Sequence, residues 1–206
     1  MMKTKLLFFF LVFAFVASAH TWYSRSYSDY MQHKWVSLDT LNFDRRSGGS
    51  KYWSGGGDFS VKTGKESVDK MLEKDVRFLL VGDSLYVNCR GLRCDGEMLG
   101  DGYARAYRFE RDKVLILLDK NIEGGIFVNI AQGIKNTISP TESPRVCYLM
   151  TSDKKIVEKV TPFVMERLLE PYPSKQYEYK SLPAKEKESY LTIYSFLASV
   201  GQLFPY

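Results

Sequence analysis

The stretch VRFLLVGDSLYVNC, residues 76–89, consists of two runs rich in Val, Leu, Phe and Tyr joined by Gly82-Asp83. Glycine reaches the positive backbone angle of a tight turn without steric cost, so these letters predict a hairpin between two strands. Alternation after the turn places Leu85, Val87 and Cys89 on one face of the second strand. Downstream, YARAYRFERDKVLILLD (103–119), GGIFVNI (124–130) and RVCYLM (145–150) are further short strand-forming runs divided by Arg-Asp and Gly-Gly. Pieces at hairpin spacing predict an antiparallel meander. AQGIKNTISPTESP (131–144), with two prolines, predicts an irregular surface loop.

Upstream, residues 20–34 are polar and aromatic without a period, which predicts an extended N-terminal arm. KWVSLDTLNF predicts one strand near 35–43. DRRSGGSKYWSGGGDF follows, with five glycines among residues 48–57, and predicts a mobile loop. A short strand is expected over Asp58 to Lys62. Thr63 and Glu66 form a T-x-x-E capping box, and Val68, Met71 and Leu72 supply helical spacing behind it, so a helix is expected over 64–74.

The last quarter changes period. Ser152 or Asp153 predicts one helix start, and Thr161-Pro162 a second that continues to Leu169 and stops at Pro171 and Pro173. After Pro183, Tyr190, Ile193, Tyr194, Leu197, Val200 and Phe204 recur at amphipathic helical spacing. The expected fold class is α+β: an antiparallel β-rich body with a short helix near 64–74 and C-terminal helices packed on one face. One domain is expected over 20–206, made of the arm (20–34), the β-rich body (35–151) and a helical part (152–206).

Residues 1–19 give the expected address. Lys3 and Lys5 precede an apolar run from Leu6 to Val16, and Ala17-Ser18-Ala19 supplies the small residues that a signal peptidase reads. The run is shorter than the about 20 residues needed to span a bilayer. A cleaved signal peptide, a start at His20, no membrane span after cleavage and a periplasmic or secreted protein are therefore expected. With Lys3 and Lys5 removed, 29 basic and 24 acidic residues leave a net charge of +3. So small an excess carries no nucleic-acid footprint.

Cys89, Cys94 and Cys147 would enter an oxidising compartment. A local Cys89 to Cys94 disulfide, a buried free Cys89 and a Cys89 to Cys147 pair are all open, because spacing does not fix connectivity. Three Cys and two His without paired close spacings do not describe a zinc site, and no cofactor is expected.

Four motifs invite enzymatic readings. VGDSLY resembles the GDSL block of the SGNH hydrolases, with Ser84 in the place of the nucleophile. That chemistry needs a base and an acid that orients it. The family's Asp-x-x-His pair lies near the C-terminus, whereas no histidine follows His33 here. Ser152-x-x-Lys155 and Lys62-Thr63-Gly64 resemble two motifs of penicillin-binding proteins, but in reversed order and without S-D-N. The glycine-rich stretch lacks the G-x-x-x-x-G-K-[ST] spacing of a phosphate loop, since Glu66 follows Lys65. His20 behind the cut, with His33, resembles the copper brace of lytic polysaccharide monooxygenases. A brace needs the two imidazoles brought face to face, so no metal site is assigned from sequence.

GDSLYVNCRGL, GDGYARAYRF, LLEPYPSKQYEYK and YLTIYSFLASV together resemble a group of small exported proteins of Bacteroides-type bacteria, itself a domain of unknown function, over about 60–200. The resemblance implies an exported setting and carries no catalytic residue across. Two classes of function follow from the residues. The first is a non-enzymatic envelope protein that binds a glycan, a peptide or another envelope protein through aromatic surface. Tyr52 and Trp53 in the glycine-rich stretch are its candidate ligand-binding residues, and the chain is 15% aromatic. The alternative is a hydrolase that works with paired carboxylates, such as a glycosidase.

Overall fold

The computed structural model describes residues 20–110, 112–119, 145–201 and 203–204. Its strands are β1 Thr21–Ser24, β2 Val36–Leu38, β3 Asn42–Arg45, β4 Phe59–Lys62, β5 Phe78–Val81, β6 Ser84–Asn88, β7 Arg93–Cys94, β8 Glu97–Met98, β9 Tyr103–Phe109, β10 Lys113–Asp119, β11 Arg145–Met150, β12 Val157–Lys159 and β13 Leu203–Phe204. The helices are α1 Tyr27–Met31, α2 Gly48–Ser54, α3 Glu66–Lys74, α4 Pro162–Leu168, α5 Pro173–Ser181, α6 Ala184–Lys187 and α7 Tyr190–Ser199. None is long and apolar enough to cross a membrane. The signal segment, GGIFVNI and the loop at 131–144 lie outside the described residues.

The hairpin read from VRFLLVGDSLYVNC is present as β5 and β6. Val81 pairs with Ser84, and Gly82 at the first turn position has φ +56°. Around it the described residues form one antiparallel sheet of eleven strands, in the order β12-β11-β10-β9-β6-β5-β1-β2. β4, itself paired with β3, and β13 both attach to β9. The protein is α+β.

Strand alternation divides the core between the two faces of the sheet. Phe78, Leu85, Val87, Ala106, Ile116 and Tyr148 share one face, covered by Tyr27 and Tyr30 of α1. On the other face, Leu79, Tyr86 and Tyr103 lie under Leu72 of α3. Farther along that face Leu115, Leu117, Cys147 and Leu149 meet Val164, Tyr179, Ile193 and Leu197 of α4, α5 and α7. The C-terminal helices thus cover one face, as their spacing predicts.

Both ends of the sheet are short. At β12 the edge is blocked by the β7–β8 ribbon: Arg93 N donates to Lys155 O at 2.8 Å, and Lys159 N donates to the Cys94 sulfur. Covering an edge in this way removes a template for pairing with other chains.

Several expectations need correction. The arm at 20–34 is β1 followed by α1, and β1 lies between β5 and β2. Tyr23, Tyr27 and Tyr30 are core while Trp22 is exposed, and Tyr30 stacks on Phe78 at 4.4 Å between ring centroids. The single strand at 35–43 is two, because β2 pairs with β1 while β3 turns away to pair with β4. No helix starts at Ser152 or Asp153. Met150 pairs with Val157, so the β-branched residues after the turn form a hairpin strand instead. Asp153 caps another element, accepting from the N–H groups of Tyr27 and Ser28 at the start of α1. Pro173 begins α5 rather than ending a helix, since proline tolerates the first helical position. Glu66 is not the reciprocal partner of Thr63. Asp69 takes that role, its Oδ1 accepting from Thr63 N at 2.6 Å and Thr63 Oγ1 at 2.7 Å.

Candidate functional site

β9 runs past the ends of its neighbours. One edge pairs first with β4, at Tyr103 with Phe59, and then with β10, from Ala106 to Phe109. β4 and β10 therefore diverge from a common strand. Asp58, just before β4, and Asp119, at the end of β10, meet at this fork. Lys51 of α2 reaches both: its Nζ lies 2.9 Å from Asp58 Oδ1 and is also paired with Asp119 Oδ2. Arg145 Nε stands 3.8 Å from Asp119 Oδ1. The Lys51, Asp58 and Asp119 side chains are only 11%, 6% and 5% exposed.

The fork pushes its two acids apart in acidity. Burial, helped by the bond to Asp119, raises the Asp58 pKa above its ordinary value against the pull of Lys51. Burial acts the same way on Asp119. There the hydrogen bonds from Lys51 and Asp58, with the Lys51 and Arg145 charges, outweigh it and hold the pKa below the usual value. Lys51 loses by burial and gains more from its two carboxylates, so its pKa is raised. The same burial thus leaves Asp58 the weaker acid of the pair and Asp119 the stronger.

The stretch expected to be a mobile loop is a capped helix and a tight backbone contact. Ser47 caps α2, its side chain accepting from Ser50 N. Gly55, Gly56 and Gly57 then press against residues 100–103. A Cβ on Gly56 would fall 1.7 Å from Asp101 O, and one on Gly57 2.1 Å from the carbonyl carbon of Tyr103. The glycines are there for close approach rather than for freedom. Arg46 ties the contact together. Its Nη1 donates to the carbonyls of Gly55, Gly57 and Asp101 at 2.7, 2.9 and 2.7 Å, and Nη2 to Ser50 O at 3.2 Å.

α2 therefore has little freedom although it is only seven residues long. It carries both predicted ligand-binding residues. Trp53 projects into solvent and is 85% exposed. Tyr52 holds the preceding helical position. Next to this platform a cleft of about 260 Å³ opens between α3 and β4, lined by Lys62, Asp69, Glu73 and Arg90 among others, with Arg46 shared between cleft and platform. Arg90 Nη1 is paired with Glu73 at its mouth.

Of the four motifs, VGDSLY lies at the β5–β6 hairpin, whereas the glycine-rich stretch forms α2 and Ser152 starts no helix. Ser84 opens β6 beside the hairpin turn. Thr21, Val81 and Ser84 are cross-strand partners and share a face, so His20, next to Thr21, projects to the opposite one. His20 precedes β1 at one of its ends, and His33 follows α1 beyond the other end. The two do not form a brace. Among the described residues no group of three or more His, Cys, Asp or Glu side chains is arranged to hold a metal ion. Cys89, Cys94 and Cys147 are free thiols. Cys89 and Cys147 are buried on opposite faces of the sheet, which excludes a bridge between them without refolding. Cys89 and Cys94 are not bonded to each other.

Lys51, Asp58 and Asp119 went unread in the sequence because positions 51 and 119 come together only through the fork. One signal was present. In KVLILLD, Asp119 has the same parity as Leu115 and Leu117, so a carboxylate was due to point into a core face and to need a partner there.

No curated protein and no solved structure matches the chain. A family model does, over residues 22–203, and by that match the chain belongs to a family of unknown function, DUF6563.

Proposed function

We propose that this is an exported, non-enzymatic binding protein of the cell envelope, periplasmic or secreted, that engages a glycan, a peptide or another envelope protein through the outer side of α2. The observation that carries this reading is the exposure of Trp53 on a helix fixed at its cap, at Lys51 and through Arg46. A large ring held on an immobile support loses little freedom on binding, which is the physical basis of aromatic hot spots. The exported setting rests on the signal-like residues 1–19.

The carboxylate hydrolase is the weaker reading. Asp58 and Asp119 are the paired acids it would use, yet they share Lys51 and a hydrogen bond at the bottom of the fork. Glycosidase carboxyls stand about 5–9.5 Å apart with substrate or water between them. Here lysine fills that place.

Trp53→Ala tests the binding reading. The thermal midpoint should hardly move, because the ring lies outside the core. Affinity for a ligand found on glycan or peptide arrays should fall by about 2 kcal/mol or more. Unchanged affinity, or a loss of stability in step with the loss of binding, removes Trp53 as the site.

A further inference from the structure

Lys51, Asp58 and Asp119 bring together what an amide-forming condensation requires. An amine touches one carboxyl, a second carboxyl is bonded to the same amine, and all three are withdrawn from water. We propose that Lys51 and Asp119 join in an intramolecular isopeptide bond, with Asp58 as proton relay. The bond would tie α2 to the end of β10 and is independent of the binding reading.

The chemistry balances without any co-reactant. Lys51 passes one proton to Asp119 along their hydrogen bond, giving an amine and a carboxylic acid. The Nζ lone pair attacks Cγ of Asp119, and the carbonyl π pair moves onto oxygen on the side that faces Arg145. Asp58 gives its proton to the departing hydroxyl and takes one from nitrogen. The C–O bond breaks, and one water leaves. An ammonium and a carboxylate have become an amide and water, and Asp58 ends as it began.

Three features of the fork favour this course. Lys51 and Asp119 are in direct hydrogen-bonded contact in a site withdrawn from water, so the proton can pass between them without a solvent carrier. Fixed contact replaces a bimolecular encounter, an effect that in well-oriented systems reaches effective molarities of about 10⁵–10⁸ M. Asp58 bonds the same amine, and burial shifts its pKa upward, the direction a proton relay needs. Asp119 is the acyl partner because Arg145 faces its oxygen, whereas among the described residues the ion pair of Asp58 is with Lys51.

Mass spectrometry of the denatured protein tests the proposal. The wild-type chain should be lighter than its sequence by one water, and digestion should release a branched peptide joining the segments around Lys51 and Asp119. Lys51→Arg and Asp58→Asn should both return to the full sequence mass. The wild-type measurement stands even where a variant does not fold. A wild-type chain at full mass, with Lys51 free to be acetylated after denaturation, overturns the inference, and so does a branch to Asp58 instead of Asp119.

Discussion

Asp69 is half-buried at the cleft, and its carboxyl lies below the ordinary value because the Thr63 side chain and N–H hold its charged form. A folded-state pKa below the unfolded one stabilises the fold above the ordinary aspartate value, and that contribution is lost as pH falls through the folded value. Carboxyl chemical shifts should therefore place the Asp69 midpoint below 3.8 in the wild type and higher in Thr63→Val. An unchanged midpoint in the variant would show that the hydroxyl plays no part. This residue also marks what single positions reveal in a sequence. T-x-x-E was legible as a helix start, but the geometry after Gly64, with φ +78°, delivers Thr63 to the next turn and its aspartate. Asp119 was legible as a buried acid from its parity, while Lys51 and Asp58 were concealed by the glycines around them.

At the level of elements, legibility follows the range of the interactions. The β5–β6 hairpin is specified by a turn and its own flanks, so local letters suffice. α2 is specified by residues 100–103, some fifty positions away, and composition alone made its glycines look like slack. α1 was missed for a related reason: five residues are too few to establish a period, and besides its local cap, Ser26, it is held by Asp153 from the far side of the sequence. Gly57→Ala measures the α2 contact directly. With its Cβ due 2.1 Å from the Tyr103 backbone, the variant should lose about 1–3 kcal/mol in urea unfolding, the cost of overpacking. Gly48→Ala has nothing within 4 Å and should stay within about 0.5 kcal/mol of wild type, as surface substitutions do. Equal behaviour of the two would mean that the glycines do serve flexibility.

Across the whole molecule, the sheet acts as a partition. Cys89 and Cys147 are buried on its two sides, and burial pushes each thiol up to about 12. Cys94, half-buried at the β12 edge, is raised less. A thiol reagent should thus modify Cys94 alone in the native protein and all three after denaturation. Labelling of Cys89 or Cys147 at the rate of Cys94 would contradict the partition. The consecutive strands β9 to β11 were legible because neighbours in sequence are neighbours in space, whereas the insertion of β1 between β5 and β2 depends on closing a long loop. β9 extends that logic to time. It pairs with β4, β6 and β10, and its last residues, Arg108 and Phe109, pair with β13 at the far end of the chain. Contacts so distant in sequence form slowly, because loop-closure entropy must be met before they reward it. A chain that emerges from a ribosome or a translocation channel in order therefore reaches its last strand pairing only after Phe204 is free. Until then β9 has an open edge, and a chaperone that holds such edges has its opportunity in that interval.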